Sequence, residues 1–327
     1  MENTVEFAKK PDKGLPWDVA VIGSGPAGLT AAIYTTRGAA STIIFGGEKW
    51  GGQLMLTTEV DNYPALPNTQ GPEIMTKMRD HASSFGAEFV EKNVESVKFS
   101  FKDGNHKLTA QGEDYLARSI IIATGADTRW LGVPGEAKLR GRGVSSCAPC
   151  DAPFFKEKSV LVVGGGDSAM EEALVLTKYA SLVTIAHRRD SFRASQAMQQ
   201  KVFDNQKSGK IKTMWNSEVV EFLGDEKLEK VKIKSTLDNT EKEVNFDGAF
   251  VAIGHIPKTL IFQGKIDLDE KGYIKKLPKN GFQMTTSVQG VFVAGDVHDY
   301  HYRQAITAAG FGCMAGMEAI KYLDEKV

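Results

Sequence analysis

VAVIGSGPAGLTAAIYTTR, residues 19–37, is the stretch that decides the fold. It begins with a short β-branched run, Val19–Ile22, of the kind that forms a buried strand. The next six residues, Gly23–Gly28, fit the pattern G-x-G-x-x-G, and a helix-forming segment with Pro26 near its start follows. A second apolar run, Thr42–Phe45, completes a strand, a glycine turn, a helix and a strand. This order predicts a Rossmann-type dinucleotide-binding unit.

The same order of elements occurs a second time. A strand at Ser159–Val163 leads into the loop Gly164–Ala169, which has the G-x-G-x-x-A form, and a helix and the strand Leu182–Ala186 follow. Each copy is later closed by an apolar segment that ends at a glycine, Ser119–Gly125 in the first and Gly248–Gly254 in the second. The sequence therefore predicts two lobes related by duplication.

A third closing segment, Gly290–Asp296, lies after both copies and has no lobe of its own. We expect its strand to return to the first lobe, which makes the first domain discontinuous. The predicted fold class is α/β, with two Rossmann-like, three-layer dinucleotide-binding domains, the second inserted into the first. The predicted boundaries are 1–125 with 256–327 for the first domain and 126–255 for the second.

The composition is that of an ordinary globular chain. Forty Lys and Arg residues against 41 Asp and Glu give the 327 residues a net charge of -1, which offers no reason to expect nucleic acid. No apolar run is long enough to span a membrane. The first 17 residues are predicted to form a loose arm, and they lack the apolar core of a signal peptide. The expected compartment is the cytoplasm.

The second glycine loop is followed, after its second strand, by a strongly basic segment. Arg188 lies 24 positions after Gly164, near the position expected for the residue that binds the ribose, and Arg189 and Arg193 follow. An NAD site has an acidic residue there, whereas guanidiniums form charge-assisted, bidentate bonds with the 2′-phosphate of NADPH. A solvated basic loop is the alternative interpretation. We expect NADPH at this loop, in domain 126–255.

Two dinucleotide loops in one chain imply electron transfer between two dinucleotides, and FAD with a nicotinamide is the obvious pair. The first loop is the FAD candidate, because its domain also holds Gly295 and Asp296, whose carboxylate is suited to a ribityl hydroxyl. A purely structural turn is the alternative. The predicted FAD-binding domain is therefore 1–125 with 256–327.

Two of the three cysteines form the pattern Cys147-Ala148-Pro149-Cys150. A zinc site would need further Cys or His ligands near the pair, and none follow, so a redox pair is favoured and no metal is predicted. Asp151 comes next and is placed to transfer the proton that thiol–disulfide exchange requires, although a turn or cap residue is the alternative. Cys313 lies in an apolar segment and is predicted to be a packed core thiol.

At this point the residues resemble a known family. GSGPAGLTAAIY, GVSSCAPCDA, GGGDSAMEEA, HRRDSFRAS and VFVAGDV are similar, in this order, to segments of the low-molecular-weight thioredoxin reductases, which are pyridine nucleotide–disulphide oxidoreductases. The resemblance covers nearly the whole chain from about Trp17. The chain departs from the family pattern at Pro149 and at Ala152-Pro153, positions that bear on the redox potential and the protein substrate.

The resemblance implies a role for particular residues. It implies a redox disulfide at Cys147 and Cys150, with Asp151 as the proton donor. It implies FAD contacts at Ser24, Gly25, Pro26, Ala27, Gln53, Asn62, Val94, Asp296, Arg303, Gln304 and Ala305. It implies NADPH contacts at Gly166, Ser168, Ala169, His187, Arg188, Arg189 and Arg193. The loops and the closing strand add the cofactor candidates Gly23, Gly28, Thr124, Gly125, Gly164 and Asp167.

The expected function is NADPH-dependent reduction of the disulfide of thioredoxin or a thioredoxin-like protein, by a homodimeric flavoprotein with FAD. A ferredoxin– or flavodoxin–NADP reductase is an alternative enzyme, but it has no need for Cys147 and Cys150. A dinucleotide-binding redox sensor is a non-catalytic alternative, which intact loops and an intact cysteine pair disfavour. Neither a nucleic acid nor a membrane is an expected partner.

Overall fold

The structure is a computed structural model that describes residues 9–57, 59–100 and 105–325. The first eight residues of the predicted N-terminal arm lie outside the described residues. The chain divides into two compact units: the first runs up to Asp127 and resumes at Ile256, and the second is Thr128–His255. No helix in the described ranges combines the length and apolar character needed to cross a membrane.

The elements alternate in the manner that the sequence predicts. The strands are β1 (Trp17–Ile22), β2 (Thr42–Phe45), β3 (Glu88–Val90), β4 (Val94–Lys98), β5 (His106–Ala110), β6 (Glu113–Ile122), β7 (Ala126–Thr128), β8 (Val144–Ser145), β9 (Ser159–Val163), β10 (Leu182–Ala186), β11 (Ile211–Met214), β12 (Ser217–Leu223), β13 (Lys230–Ser235), β14 (Glu241–Asn245), β15 (Gly248–Val251), β16 (His255–Pro257) and β17 (Val291–Val293). The helices are α1 (Pro26–Arg37), α2 (Gly71–Ser84), α3 (Glu136–Leu139), α4 (Ala148–Asp151), α5 (Asp167–Leu176), α6 (Gln196–Lys207) and α7 (Ala305–Asp324).

The sheet of the first unit has the strand order β3-β2-β1-β6-β5-β4, with β17 also paired to β6. Strands β3, β2, β1, β6 and β17 are parallel, while β5 and β4 continue the sheet in antiparallel fashion. In the register, Ile122 of β6 lies opposite both Ile22 of β1 and Val293 of β17. The strand of the third closing segment therefore joins the first lobe.

Helices α1 and α7 of the first unit pack at close range because the contact is built from small residues. A Cβ atom on Gly312 would overlap the Ala27 carbonyl oxygen, and one on Gly316 would lie 2.9 Å from the Ala31 carbonyl oxygen. Both helices bury a row of alanines in one apolar cluster with Val19, Val21 and Ile121 of the sheet. This packing fixes the start of α1 against the sheet edge.

The second unit contains a parallel sheet of order β11-β10-β9-β15-β8 and a separate antiparallel sheet of order β12-β13-β14. Strands β9, β10 and β15 are buried on both faces, as the runs Val160–Val163 and Val183–Ala186 indicate. Two Rossmann-like sheets on one chain confirm the predicted α/β fold class.

Candidate functional site

The first glycine loop lies where parallel strands of the first unit end. The Gly23 N–H, directly after β1, donates to the Phe45 carbonyl at the end of β2, and the Ala123 N–H after β6 donates to the Ile22 carbonyl. In open α/β sheets, ligands bind outside the carboxyl ends of the strands. The loop is therefore at the edge where a dinucleotide is expected.

Close approaches within this loop require glycine at the first and third glycine positions of the G-x-G-x-x-G pattern. Gly23 has φ +116°, and a Cβ on it would overlap the Ala123 carbonyl oxygen; a Cβ on Gly28 would overlap the Gly23 carbonyl oxygen. Gly25, the residue before α1, is different, because a Cβ there meets no atom within 4 Å. The space beside Gly25, in front of the start of α1, is therefore open, which suits a pyrophosphate.

Ser24 is buried and connects the glycine loop to the segment after β2 by hydrogen bonds. Its hydroxyl donates to the Gly46 carbonyl at 3.0 Å and accepts the Gly51 N–H at 2.9 Å. The hydroxyl is thus engaged within the protein, and it fixes the segment after β2 to the glycine loop.

Asp296 follows β17 at the same edge of the sheet, in a short 3-10 turn that spans Gly295–Val297. Its Oδ1 is buried and has no hydrogen-bond partner among the described residues. Burial, supported by the neighbouring Asp299 and opposed by Arg303, raises the pKa of the carboxyl to about 7. A buried acceptor without a donor is what a ligand hydroxyl would satisfy, so this edge fits the ribityl chain of a flavin.

Asp299 is a residue of this site that sequence reasoning missed. It is 6% exposed, and its carboxylate accepts the N–H groups of His301, Tyr302 and Arg303 at 2.9–3.2 Å. These bonds hold Arg303 at φ 50°, in the left-handed region. A single Asp in a polar loop gives no distinctive signal in the sequence, because its partners are backbone amides.

The remaining FAD candidates lie around this edge in different ways. Asn62 Nδ2 donates to Gln304 Oε1 at 3.3 Å, which joins two candidates that are far apart in the chain; Ala305 then begins α7. Gln53 donates to the Asp127 carboxylate at 3.1 Å and is exposed. Val94 begins β4, the last strand in the order of the sheet.

The candidates after β6 lie beside the returning chain. The Thr124 hydroxyl donates to the Lys258 carbonyl at 2.8 Å, and the Gly125 carbonyl accepts the Lys258 N–H at 2.9 Å. The two candidates thus fix the backbone of Lys258, near the point where the chain resumes the first unit.

The second glycine loop repeats the construction of the first. The Gly164 N–H donates to the Ala186 carbonyl at the end of β10, and the Ala252 N–H donates to the Val163 carbonyl at the end of β9. A Cβ on Gly164 would lie 2.7 Å from the Ala169 Cβ, whereas a Cβ on Gly166 meets nothing within 4 Å. Space is again open in front of a helix start, here that of α5.

The basic segment is bound to this loop through its backbone. The Arg193 N–H donates to the Gly165 carbonyl at 2.7 Å, and Asp167 accepts both the N–H and the hydroxyl of Ser195 at 2.8 Å. Arg188, Arg189 and Arg193 are exposed, and within the described ranges none of the three guanidiniums forms an ion pair. Three uncompensated cations beside a glycine loop fit a phosphate-bearing ligand.

His187 lies beneath the loop. Its ring occupies the space that a Cβ on Gly165 would need, and it contacts the rings of Phe192 and Trp215. Burial lowers the pKa of His187, and the nearby arginines act in the same direction. The neutral imidazole therefore serves as packing under the glycine loop, with its buried Nε2 lacking a partner in the described structure.

The cysteines form a disulfide in the second unit. Cys147 and Cys150 are bonded, with 5.3 Å between their Cα atoms. Cys147 precedes the one-turn helix α4, and its N–H donates to the Ser145 hydroxyl at 3.1 Å. Both cysteines are partly exposed, so the disulfide is accessible to exchange.

Asp151 ends α4, immediately after the disulfide. Burial raises the pKa of its carboxyl above the ordinary value, and a hydrogen bond from Ser145 opposes this change. A carboxyl group with a raised pKa holds its proton closer to neutral pH and is therefore a better proton donor than an exposed aspartate. Ser145, which sequence reasoning missed, contacts both this acid and the Cys147 amide.

Glu172 was missed as well. It lies on α5 and is 8% exposed. Its Oε2 accepts the N–H of Ala148, which comes directly after Cys147 in the turn between the two cysteines. The sequence signal for its burial was helical spacing. Glu172 lies among buried residues of α5, with Ala169 at i−3, Ala173 at i+1 and Leu176 at i+4.

One further sequence expectation can be compared with the structure. Cys313 lies in α7, but it is partly exposed, with its sulfur 3.9 Å from the Met317 sulfur, so the prediction of a packed core thiol is wrong. Residues 9–57, 59–100 and 105–325 contain no cluster of His, Cys, Asp and Glu suited to a metal ion.

Comparison with known proteins gives consistent results. The family model for pyridine nucleotide-disulphide oxidoreductases matches residues 17–312. A thioredoxin reductase of Rickettsia conorii is 49% identical over 311 residues, which cover 94% of this chain and 98% of the relative. A protein of Mycobacterium leprae named bifunctional thioredoxin reductase/thioredoxin is 47% identical over 94% of this chain and 66% of its own length. The crystal structure of thioredoxin reductase from Streptococcus pyogenes superposes with TM-score 0.88 at 38% identity, covering 94% of this chain and 98% of that one.

Proposed function

Because the chain belongs to the pyridine nucleotide-disulphide oxidoreductases, and to the thioredoxin reductases among them, we propose that it is an NADPH-dependent flavoprotein that reduces the disulfide of a thioredoxin. The observation that carries this proposal is the accessible Cys147–Cys150 disulfide, flanked by the partly buried Asp151, on a chain with two dinucleotide loops. The cofactors of such an enzyme are FAD and NADPH.

We assign the FAD to the first unit and the NADPH to the second. The open space before α1 and the unpartnered Asp296 Oδ1 support the first assignment. The exposed Arg188, Arg189 and Arg193 beside the second loop support the second. Held at these loops, the two cofactors would supply two-electron transfer from a nicotinamide hydride, through a flavin, to the Cys147–Cys150 disulfide.

The chain's own residues then complete the exchange. Reduction breaks the Cys147–Cys150 bond and leaves a dithiol. One cysteine, as a thiolate, attacks the thioredoxin disulfide and forms a mixed disulfide; the other cysteine resolves it, so that thioredoxin leaves with two thiols and the Cys147–Cys150 bond forms again. Asp151, whose pKa is raised by burial, donates a proton to the departing thioredoxin sulfur.

Thioredoxin as the substrate is supported by the Mycobacterium leprae relative, whose name joins a thioredoxin to the reductase. A cytoplasmic location is part of the proposal, because thioredoxin keeps thiols reduced in that compartment.

We also propose a homodimer. The helices α1 and α7 expose a set of apolar side chains that a second copy could cover: Tyr34, Ile306, Met314 and Met317. Ile306 and Met317 lie on one side of α7, eleven residues apart, about three helical turns. Sedimentation equilibrium would test the dimer, and Met317→Lys should weaken it.

The test of the function is NADPH oxidation measured with purified thioredoxins. The wild-type protein should reduce at least one thioredoxin, whereas Cys147→Ser should not, although NADPH should still bleach its flavin. The matched control is Cys313→Ser, which removes the remaining cysteine outside the disulfide and should leave turnover intact. Thioredoxin reduction at the wild-type rate by the Cys147 variant would contradict the proposal.

A further inference from the structure

A buried carboxylate is bonded to the backbone of the redox turn. Glu172 Oε2 accepts the N–H of Ala148, which belongs to the peptide bond that Cys147 forms with the next residue. The carboxylate enters from α5, whose neighbouring side chains Met170 and Ala173 are fully buried. An N–H bond favours the ionised form of a carboxyl group, and this carboxyl group lies beside the amino-terminal cysteine.

The backbone around Cys147 has no amide left for a thiolate. The Cys147 N–H donates to the Ser145 hydroxyl, and the Cys150 N–H donates to the Cys147 carbonyl at 3.2 Å. Pro149 has no N–H, and Glu172 takes that of Ala148. A cysteine at a helix start is normally stabilised as a thiolate by such amides, and here each of them is engaged or missing.

We propose that Glu172 is a positioning residue that keeps the Cys147–Cys150 couple strongly reducing, by occupying the Ala148 amide and placing a negative charge beside the dithiol. The disulfide is uncharged and is little affected by a neighbouring carboxylate. The reduced form carries thiolate character, which a like charge and a lack of donors disfavour. The equilibrium therefore moves toward the disulfide, so that the dithiol gives up its electrons more readily.

Two further carboxyl groups lie on the elements that carry this turn and Glu172. Asp151, on α4, is partly buried, and desolvation raises its pKa while a hydrogen bond from Ser145 opposes that change. Glu171, adjacent to Glu172 on α5, is exposed to solvent. It is therefore a matched control, with the same charge on the same helix but screened by water.

The experiment measures the equilibrium of the disulfide with dithiothreitol in the FAD-bound protein, under anaerobic conditions. Reduction breaks the Cys147–Cys150 bond and adds two electrons and two protons, while one dithiothreitol closes to its cyclic disulfide and supplies them. The cysteines are then alkylated, and the tryptic peptide that contains both is quantified by mass spectrometry. Because Cys313 lies far along the chain, it does not contribute to this peptide.

Glu172→Gln keeps an oxygen that can accept the Ala148 N–H but removes the charge. It should move the equilibrium constant about tenfold toward the dithiol, which for two electrons is about 30 mV. Glu172→Asp keeps the charge and should move the constant less than Glu172→Gln. Glu171→Gln should leave it unchanged.

Three results would overturn the inference. The first is an equilibrium constant in Glu172→Gln that equals the wild-type value. The second is a change in Glu172→Asp as large as that in Glu172→Gln, which would indicate a packing effect. The third is a change in Glu171→Gln as large as that in Glu172→Gln. The inference requires only that the pair cycles between disulfide and dithiol. No thioredoxin is present, so its failure would leave the proposed substrate untouched, and a failure of the thioredoxin assay would leave the measured potential valid.

Discussion

The substitution Asp296→Asn should have opposite effects on the stability of the apoprotein and on its affinity for FAD. Without a ligand, burial raises the pKa of the Asp296 carboxyl from 3.8 to about 7. At about 1.4 kcal/mol per pKa unit, this difference is an upper value of about 4 kcal/mol for ionising the carboxyl in the folded apoprotein. Asparagine has nearly the same shape and carries no such cost.

The sign of the pH dependence follows from proton linkage. The native carboxyl keeps its proton to about pH 7, whereas the unfolded carboxyl loses it near pH 3.8. Apoprotein stability from Asp296 is therefore fully present below pH 3.8 and is lost as the pH rises through about 7. The advantage of Asp296→Asn should be near zero at pH 4 and should reach its maximum, several degrees in Tm, above about pH 7.

FAD binding should respond in the other direction. If the carboxylate accepts a ribityl hydroxyl, losing a charge-assisted bond costs about 1.5–3 kcal/mol, or roughly a 10–150-fold higher Kd for FAD. Thermal unfolding of the flavin-free protein across pH and titration of FAD by flavin fluorescence measure the two effects. Glu270→Gln, which removes an exposed carboxylate from the same unit, is the control and should change neither. An apoprotein destabilised by Asp296→Asn at pH 8, or an unchanged Kd, would refute the reasoning.

Three further substitutions test the second unit. Asp151→Asn should slow thioredoxin reduction about 100-fold or more, because it removes the proton donor. The rate of flavin reduction by NADPH, measured by stopped flow, should stay normal. Equal slowing of thioredoxin reduction and flavin reduction would indicate misfolding instead. Arg188→Ala should lower the NADPH/NADH ratio of kcat/KM by roughly 10–150-fold, and an unchanged ratio would mean that this arginine does not contact the 2′-phosphate. Pro149→Thr adds an amide donor to the turn and should raise the reduction potential of the disulfide by up to a few tens of millivolts, on the order of 1 kcal/mol. Equilibration of both proteins with a dithiol buffer measures this potential. An unchanged or lower potential in the variant would contradict the backbone argument.

Local sequence was sufficient to predict the glycine loops. Glycine at position 28 is dictated by the Gly23 carbonyl, five residues away, whereas glycine at position 23 is dictated by the Ala123 carbonyl after β6 and by its own positive φ. A strand that stops at a glycine and is followed by a helix therefore predicts the turn, and the duplication predicts the second unit. The third closing strand could be assigned only by elimination, since its partner β6 lies some 170 residues earlier in the chain.

What sequence reasoning missed depends on tertiary burial. Glu171 and Glu172 are identical residues side by side on α5, yet one is exposed and the other reaches the redox turn. Only the rotation of the helix against α4 separates them, and a Glu-Glu pair is more often read as a solvated face. Cys313 shows the converse error, because an apolar helix such as α7 has a side that the core does not cover, and Cys313 lies partly on it.

The two dinucleotide loops differ in charge although their backbones are alike. In each, the first glycine donates to the end of the second strand, and the residue after the closing strand donates to the end of the first. After β2 the chain continues Gly46-Gly47-Glu48, whereas after β10 it continues His187-Arg188-Arg189. An acidic residue at this position suits a ribose hydroxyl, and a guanidinium suits a 2′-phosphate. The shared hydrogen-bond frame supports two dinucleotide sites, and the charge two to three residues beyond the strand distinguishes a ribose with a free 2′-hydroxyl from a ribose with a 2′-phosphate.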